Sequence, residues 1–199
     1  MMDKIIDLCY KICNAEDKDN WMHNGDFVLH TVNDGEDFVQ IDSLNRSHTA
    51  MFKIRAKKRD LGLTFKYPCI YDKVAASLRK LELRKVDMTS LPDRSYIDLL
   101  KFDDVFDIEY DSVEYSDLSR LLNIDECSQI DIRNNGFHAV YSKYLINSVL
   151  IDDDLEDIGL KILHPNAPLR LHYQYGVFNI YCLIAPRVEV IENMFFLRV

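Results

Sequence analysis

The chain has 199 residues, 48% of them apolar and 29% charged, a balance that suits one domain or two small ones with a real core. Its 33 acids outnumber 24 lysines and arginines, for a formal charge of −9. That argues against a protein that coats nucleic acid with its whole surface, because such binding needs an excess of cations to displace counterions, although it leaves room for a local basic lining.

Ile5, Leu8, Cys9, Ile12 and Cys13 recur at helical spacing, so residues 3–15 read as an amphipathic helix. Residues 21–32 read as a strand pair around the turn dipeptide Asn24-Gly25. Phe38 to Asp42 and Ala50 to Arg55 are strand-like runs separated by a polar loop at 43–48. Lys57 to Asp60 is expected as a charged turn, and Leu61 to Tyr67 as a strand closed by Pro68. Residues 73–86 suit helix in their alanine-rich part and strand around Leu81, Leu83 and Val86, whereas Asp87 to Ser95 has the composition of an exposed connector.

Tyr96 to Tyr110 carries strand-like alternation mixed with acids, and Glu114 to Leu122 reads as a second helix. Asn134-Asn135-Gly136 marks a hairpin, Ser142 to Leu150 a third helix, and the aspartates at 152–154 a loop. Leu169, Leu171, Tyr173 and Tyr175 then alternate with Arg170, His172 and Gln174, Gly176 turns the chain, and Val177 to Ile184 returns as a second strand. The order predicts an α+β fold in two similar halves, antiparallel sheet with helices on one face.

The N-terminal apolar stretch is short and interrupted by acids, and no apolar run is long enough for a membrane span, so an intracellular protein is expected with no membrane partner. The cysteines at 9, 13, 69, 127 and 182 form no CxxC pair, which predicts reduced, mostly buried thiols and no metal site. No glycine-rich phosphate loop, nucleophile elbow or histidine metal motif is present. The expectation is therefore no catalytic residue, no cofactor and no enzyme; the acidic runs at 103–104 and 152–154 read as solvated surface rather than magnesium ligands.

The closing hairpin, from Pro168-Leu-Arg-Leu-His-Tyr through Leu183-Ile-Ala-Pro186-Arg-Val-Glu189, resembles the last two strands and C-terminal segment of DNA sliding clamps of the proliferating cell nuclear antigen (PCNA) type. In that family a Pro-Leu-x-x-x-Tyr strand precedes one that runs into Leu-Ala-Pro-Lys/Arg-Ile/Val-Glu. Three other segments resemble the family in the same order. Ser43 to Met51 is similar to its Ser-Met-Asp-Ser-Ser-His-Val-x-Leu segment; Leu63-Thr64-Phe65-x-x-Pro68 with Asp72-Lys73-Val74 to its strand and acid-Lys-Val turn; and Lys80 to Tyr96, with Leu91-Pro92, to its interdomain connector.

The resemblance implies a DNA-clamp fold with an N-terminal subdomain at 1–86, a connector at 87–95 and a C-terminal subdomain at 96–199. It implies a processivity factor that encircles duplex DNA without reading sequence, its pore cations meeting phosphates, and that tethers DNA polymerase, a clamp loader and motif-bearing replication or repair proteins. Lys4 and Lys11 match lysines of the family's first pore-facing helix, Lys73 a basic strand turn, and Arg120 and Lys143 basic positions on helices of the second half. Leu44, His48, Thr49, Met51, Leu91, Pro92, Pro168, Leu183, Ala185 and Pro186 match the pocket that accepts a partner's aromatic and aliphatic plug. The implied location is the nucleus of a eukaryote, or the site of viral DNA replication.

The chain also departs from the pattern. Thr49 and Thr89 stand where the family prefers Val and Leu, which makes the pocket less apolar. Strands are missing after Arg55 and before Ser142, one of them the edge that pairs with the next subunit. A ring trimer then requires a replacement edge, for which residues 98–111 are a candidate. The alternatives are a subunit of a heteromeric checkpoint-type clamp, or a clamp-fold interaction module that no longer encircles DNA. The tail at 190–199 is expected to pack or to pair at a sheet edge.

Overall fold

A computed structural model describes residues 2–13, 27–34, 36–45, 49–61, 69–71, 103–134, 137–151, 155–187 and 194–199. Helix α1 (Met2–Cys13) buries Ile5, Leu8, Cys9 and Ile12 on one stripe and exposes Lys4, Asp7 and Lys11 on the other, the division that its 3.6-residue period dictates. Strands β1 (Phe27–Asp34), β2 (Glu36–Leu44) and β3 (Ala50–Lys57) follow as an antiparallel meander. β1 and β2 pair from Phe27 with Ser43 to Asp34 with Glu36; the predicted turn at Asn24-Gly25 lies outside the described residues. The expected charged turn is instead a one-turn helix, α2 (Lys58–Leu61), and β4 (Cys69–Tyr71) pairs with β1. Residues 72–102, including the predicted connector, lie outside the described part.

The second half opens with a 3-10 turn at Asp103–Phe106, where strand alternation was expected: Val105 and Phe106 are adjacent and both turn toward the protein, which a regular strand does not permit. Then come β5 (Asp111–Glu114), α3 (Tyr115–Leu122), β6 (Gln129–Asn134), β7 (Phe137–Ser142) and α4 (Lys143–Ser148). Ser142 begins α4 as its N-cap, its hydroxyl accepting from Leu145 N. Strands β8 (Asp157–Lys161), β9 (Leu169–Tyr175), β10 (Phe178–Ile184) and β11 (Met194–Arg198) complete the chain. Gly176 makes the β9–β10 turn with φ of 58°, a conformation that suits glycine because a Cβ would crowd the carbonyl there.

Among the described residues, eight strands form one antiparallel sheet in the order β4-β1-β2-β3-β10-β9-β8-β5. The join between the halves is β3 with β10, in a register that sets Met51 opposite Leu183 and Arg55 opposite Asn179. The three-stranded sheet, β11-β6-β7, holds β11 parallel to β6 at an edge, and the ladder is extended by Val199 N donating to Arg133 O (2.8 Å). The tail is thus an edge strand, with Leu197 buried and Phe195 and Phe196 exposed.

Alternation along the large sheet gives its inner face to the core: Phe52, Ile54, Leu171, Tyr173, Ile180 and Cys182 pack with Ile5 and Ile12 of α1, Leu118 of α3, Leu145 of α4, and Ile130 and Ile132 of β6. Each such side chain contributes about 1.5–3 kcal/mol by leaving water. Buried hydroxyls in this layer are paired, Tyr173 donating to Val149 O (2.8 Å) and Tyr141 to Ala167 O (2.9 Å). Burial pushes both phenols well above their ordinary range, so they stay neutral donors. Cys9, Cys127 and Cys182 are buried, and Cys127 and Cys182 are free thiols.

Candidate partner and nucleic-acid surfaces

The outer face of the large sheet is the unusual one. Its cross-strand rows run Leu44–Met51–Leu183–Arg170–Lys161, then Asp42–Lys53–Tyr181–His172–Gly159, then Gln40–Arg55–Asn179–Gln174. A solvated face would leave these side chains wet, yet Gln40, Asp42 and Lys53 are each about 3% exposed. They engage one another within and between the rows: Arg55 Nε donates to Gln40 Oε1 (3.0 Å), Gln40 Nε2 to Asp42 Oδ2 (2.8 Å), and Lys53 Nζ lies 4.0 Å from Asp42 Oδ1.

Residues 103–110 cross this face as a strap. Val105 is fully buried against Met51, Phe106, Tyr181 and Leu183, a small apolar cluster separate from the main core. The Phe106 ring meets Tyr181 edge-on with centroids 4.8 Å apart and receives the Arg55 guanidinium at 3.8 Å, a cation–π contact. Asp104 pairs with Arg170 Nη2 at 2.8 Å, and this hydrogen bond is the main reason its carboxyl sits below the ordinary value. Among the described residues, Arg170 Nε and Nη1 are buried without a hydrogen-bond acceptor.

Tyr110 closes the strap. Its hydroxyl donates to Val105 O (3.0 Å), its ring centre lies 5.3 Å from that of His172, and its Cβ rests over Gly159, where any side chain would collide with it. His172 stacks on Tyr181 at 4.4 Å. Burial holds the His172 pKa below the ordinary value, opposed in part by the Asn179 Oδ1 contact at 3.5 Å.

Several sequence-predicted pocket residues do converge beside the strap. Met51 and Leu183 face each other across β3 and β10, and Leu44 is the backbone partner of Met51. Ala185 N donates to Thr49 O (2.7 Å), binding the C-terminal segment to the loop before β3. Thr49 is held by the fully buried Asn45, whose Oδ1 accepts from Thr49 N (2.8 Å) and Ala50 N (2.9 Å) while its Nδ2 donates to Thr49 Oγ1 (3.0 Å). Pro168 is exposed just before β9, and Ala185 and Pro186 are half-buried just after β10. Arg187 N donates to Val140 O (2.7 Å), carrying the segment across to the small sheet. His48, Leu91 and Pro92 lie outside the described residues, as does the Leu44 side chain. Sequence reasoning missed Asp104, Val105, Phe106, Tyr110 and Arg170; the available signal was an adjacent apolar pair inside an acidic run.

The cations expected to face DNA sit on the helical side. α1 packs against β2 and α4. Lys11 Nζ donates to Leu150 O (3.3 Å), just past the end of α4, and Lys143 Nζ donates to Ile124 O, just past the end of α3. Both ammonium groups therefore sit at the negative ends of neighbouring helices. Arg120 is highly exposed and pairs with Asp117 at 3.5 Å, one turn earlier on α3. Lys4 is exposed on α1, and Lys73 lies outside the described residues.

No protein-family model and no curated protein matches the sequence. Among solved structures, the chain is similar to the proliferating cellular nuclear antigen of Entamoeba histolytica, with a TM-score of 0.54 over 94% of each chain at 8% identity. It is also similar to a chain in the structure of the C-terminal region of FEN-1 bound to A. fulgidus PCNA, with a TM-score of 0.47 over 83% of this chain and 90% of that one at 10% identity. The first likeness, nearly end to end, is one of fold: the chain folds as a PCNA-type clamp.

Proposed function

We propose that this chain, built on the fold of the PCNA-type clamps, is a compact sliding clamp: a processivity factor without catalysis that encircles duplex DNA and tethers replication and repair proteins. The observation that carries the reading is the division of labour across one continuous sheet. Helices bearing Lys4, Lys11 and Arg120 stack on its inner side, and the outer side carries an apolar site beside the C-terminal segment. A body of charge −9 with a handful of cations binds phosphates weakly, so retention on DNA would come from topology rather than affinity.

A DNA polymerase and a clamp loader are the partners this role requires. The ring would be made of copies of this chain or shared with other chains; mass in solution, read by light scattering, distinguishes these from a monomer. Charge reversal at Lys4, Lys11, Lys73 and Arg120 tests the DNA-facing assignment. Loss of DNA retention and polymerase stimulation supports it, and unchanged retention removes it.

A specific observation favours a second reading, an interaction module on a clamp scaffold. The amines of Lys11 and Lys143 are engaged by backbone carbonyls and Arg120 by Asp117, roles that need no DNA. Under that reading the charge reversals change stability and leave DNA behaviour untouched.

A further inference from the structure

We propose that residues 103–110 are an internal occupant of the outer-face site, and that the site takes a partner peptide of acid–aliphatic–aromatic order, the order of Asp104-Val105-Phe106, by displacing this strap. The inference rests on the reading of that face as a partner site, and it adds what fills the site at rest and which chemistry evicts it.

The strap makes the contacts a bound peptide would make. Val105 fills the apolar cluster with Met51, Leu183 and Tyr181, Phe106 lies between the Tyr181 ring and the Arg55 guanidinium, and Asp104 reaches Arg170. Buried aliphatic and aromatic plugs with a flanking charge pair are the features that dominate peptide recognition. The acid-selective group of the floor is Arg170; Lys53 and Arg55, engaged with Asp42 and Gln40, meet the aromatic plug instead, 5.5 and 3.8 Å from the Phe106 ring.

Two features make the strap displaceable. Among the described residues, its backbone hydrogen bond is its own, from Asp107 N to Asp104 O (3.2 Å), so side chains hold it to the sheet. It also satisfies the floor incompletely, since Asp104 engages Nη2 while Arg170 Nε and Nη1 remain buried without acceptors among the described residues. A carboxylate free to approach side-on pairs with two guanidinium nitrogens at once, and relieving buried donors strengthens binding. An incoming acidic peptide thus gains a contact that the tethered strap does not make.

The test uses a fluorescein-labelled peptide of residues 103–110, Asp-Asp-Val-Phe-Asp-Ile-Glu-Tyr, titrated with the full chain by fluorescence anisotropy. Asp104→Asn removes only an exposed carboxylate's charge and should tighten probe binding about fivefold, the worth of a partly exposed ion pair. Val105→Ser/Phe106→Ala, which leaves the main core untouched, should tighten it at least about tenfold, and adding Arg170→Gln should reverse that gain. Equal binding to wild type and strap variants, abolished by Leu183→Ser, would overturn the strap as occupant and leave the partner site standing. No binding to any variant, with circular dichroism unchanged, would remove both. A probe with the acid moved to the aromatic end that binds equally well would overturn the proposed order.

Discussion

Gly159→Ala isolates the contact between the strap and the sheet. A Cβ at this position would stand 2.7 Å from Tyr110 Cβ, 3.1 Å from its Cγ and 3.3 Å from its Cδ1. The nearest of these atoms is fixed to the backbone, so a ring flip gives no relief and the strap itself must lift. Gly159 has no left-handed φ, so alanine would otherwise gain about 0.4–1 kcal/mol by restricting the unfolded chain. Overpacking costs about 1–3 kcal/mol, and loss of the Tyr110 hydroxyl's bond to Val105 O adds about 1 kcal/mol. The expected net loss is about 1–3.5 kcal/mol in urea unfolding followed by circular dichroism. In a double-mutant cycle with Tyr110→Gly, which removes the colliding Cβ, the penalty should vanish, giving a coupling of at least about 1 kcal/mol. A neutral or stabilising Gly159→Ala, or a penalty unchanged beside Tyr110→Gly, would refute the placement of the strap.

Tyr173→Phe leaves the buried Val149 carbonyl without its donor and should cost about 1–1.5 kcal/mol in the same assay. The strap region should weaken on mild acidification. His172 has its pKa depressed, so its contribution is complete above the ordinary value of 6.5 and is lost as pH falls toward the folded-state pKa, where the ring must charge beneath Tyr110 and beside Tyr181. Asp104, also depressed, keeps its contribution until pH falls below its ordinary 3.8, so a fall in the urea midpoint between pH 7 and 5 that His172→Gln flattens belongs to the histidine. Lys143→Met should lower stability by about 0.5–1 kcal/mol without any DNA present, because it removes a cation from the end of α3; no change would mean the amine is not capping that helix.

What could be read from the residues was local. Helix α1 follows from the spacing of Ile5, Leu8, Cys9 and Ile12, and the β9–β10 hairpin from alternation around Gly176, since each pattern has only one face to bury. Helix α4 starts at Ser142 because the serine offers its hydroxyl to a backbone amide. The candidate site was half legible. Met51, Leu183 and Ala185 come together because strand register carries them there, whereas Val105 and Phe106 gave no period to follow and Arg170 stood on the face that alternation marks as wet. Likewise Asp42 and Lys53 are charged residues of strand-like runs, and it is tertiary covering, which no local pattern carries, that makes them a buried pair. The parallel pairing of β11 with β6 depends on contacts between residues 65 positions apart, so the local pattern predicted a tail that packs or pairs at an edge and not its partner.

The most direct test is retention on circular against linear DNA. The purified protein, loaded by an ATP-driven clamp loader onto a singly nicked plasmid, is separated from free protein by gel filtration in high salt, and half of the sample is linearised first. A topological clamp should stay with the circle and be lost from the linear DNA, since its charge of −9 gives it little hold through phosphate contacts alone. Equal retention on both forms, or none on the circle, would contradict encirclement.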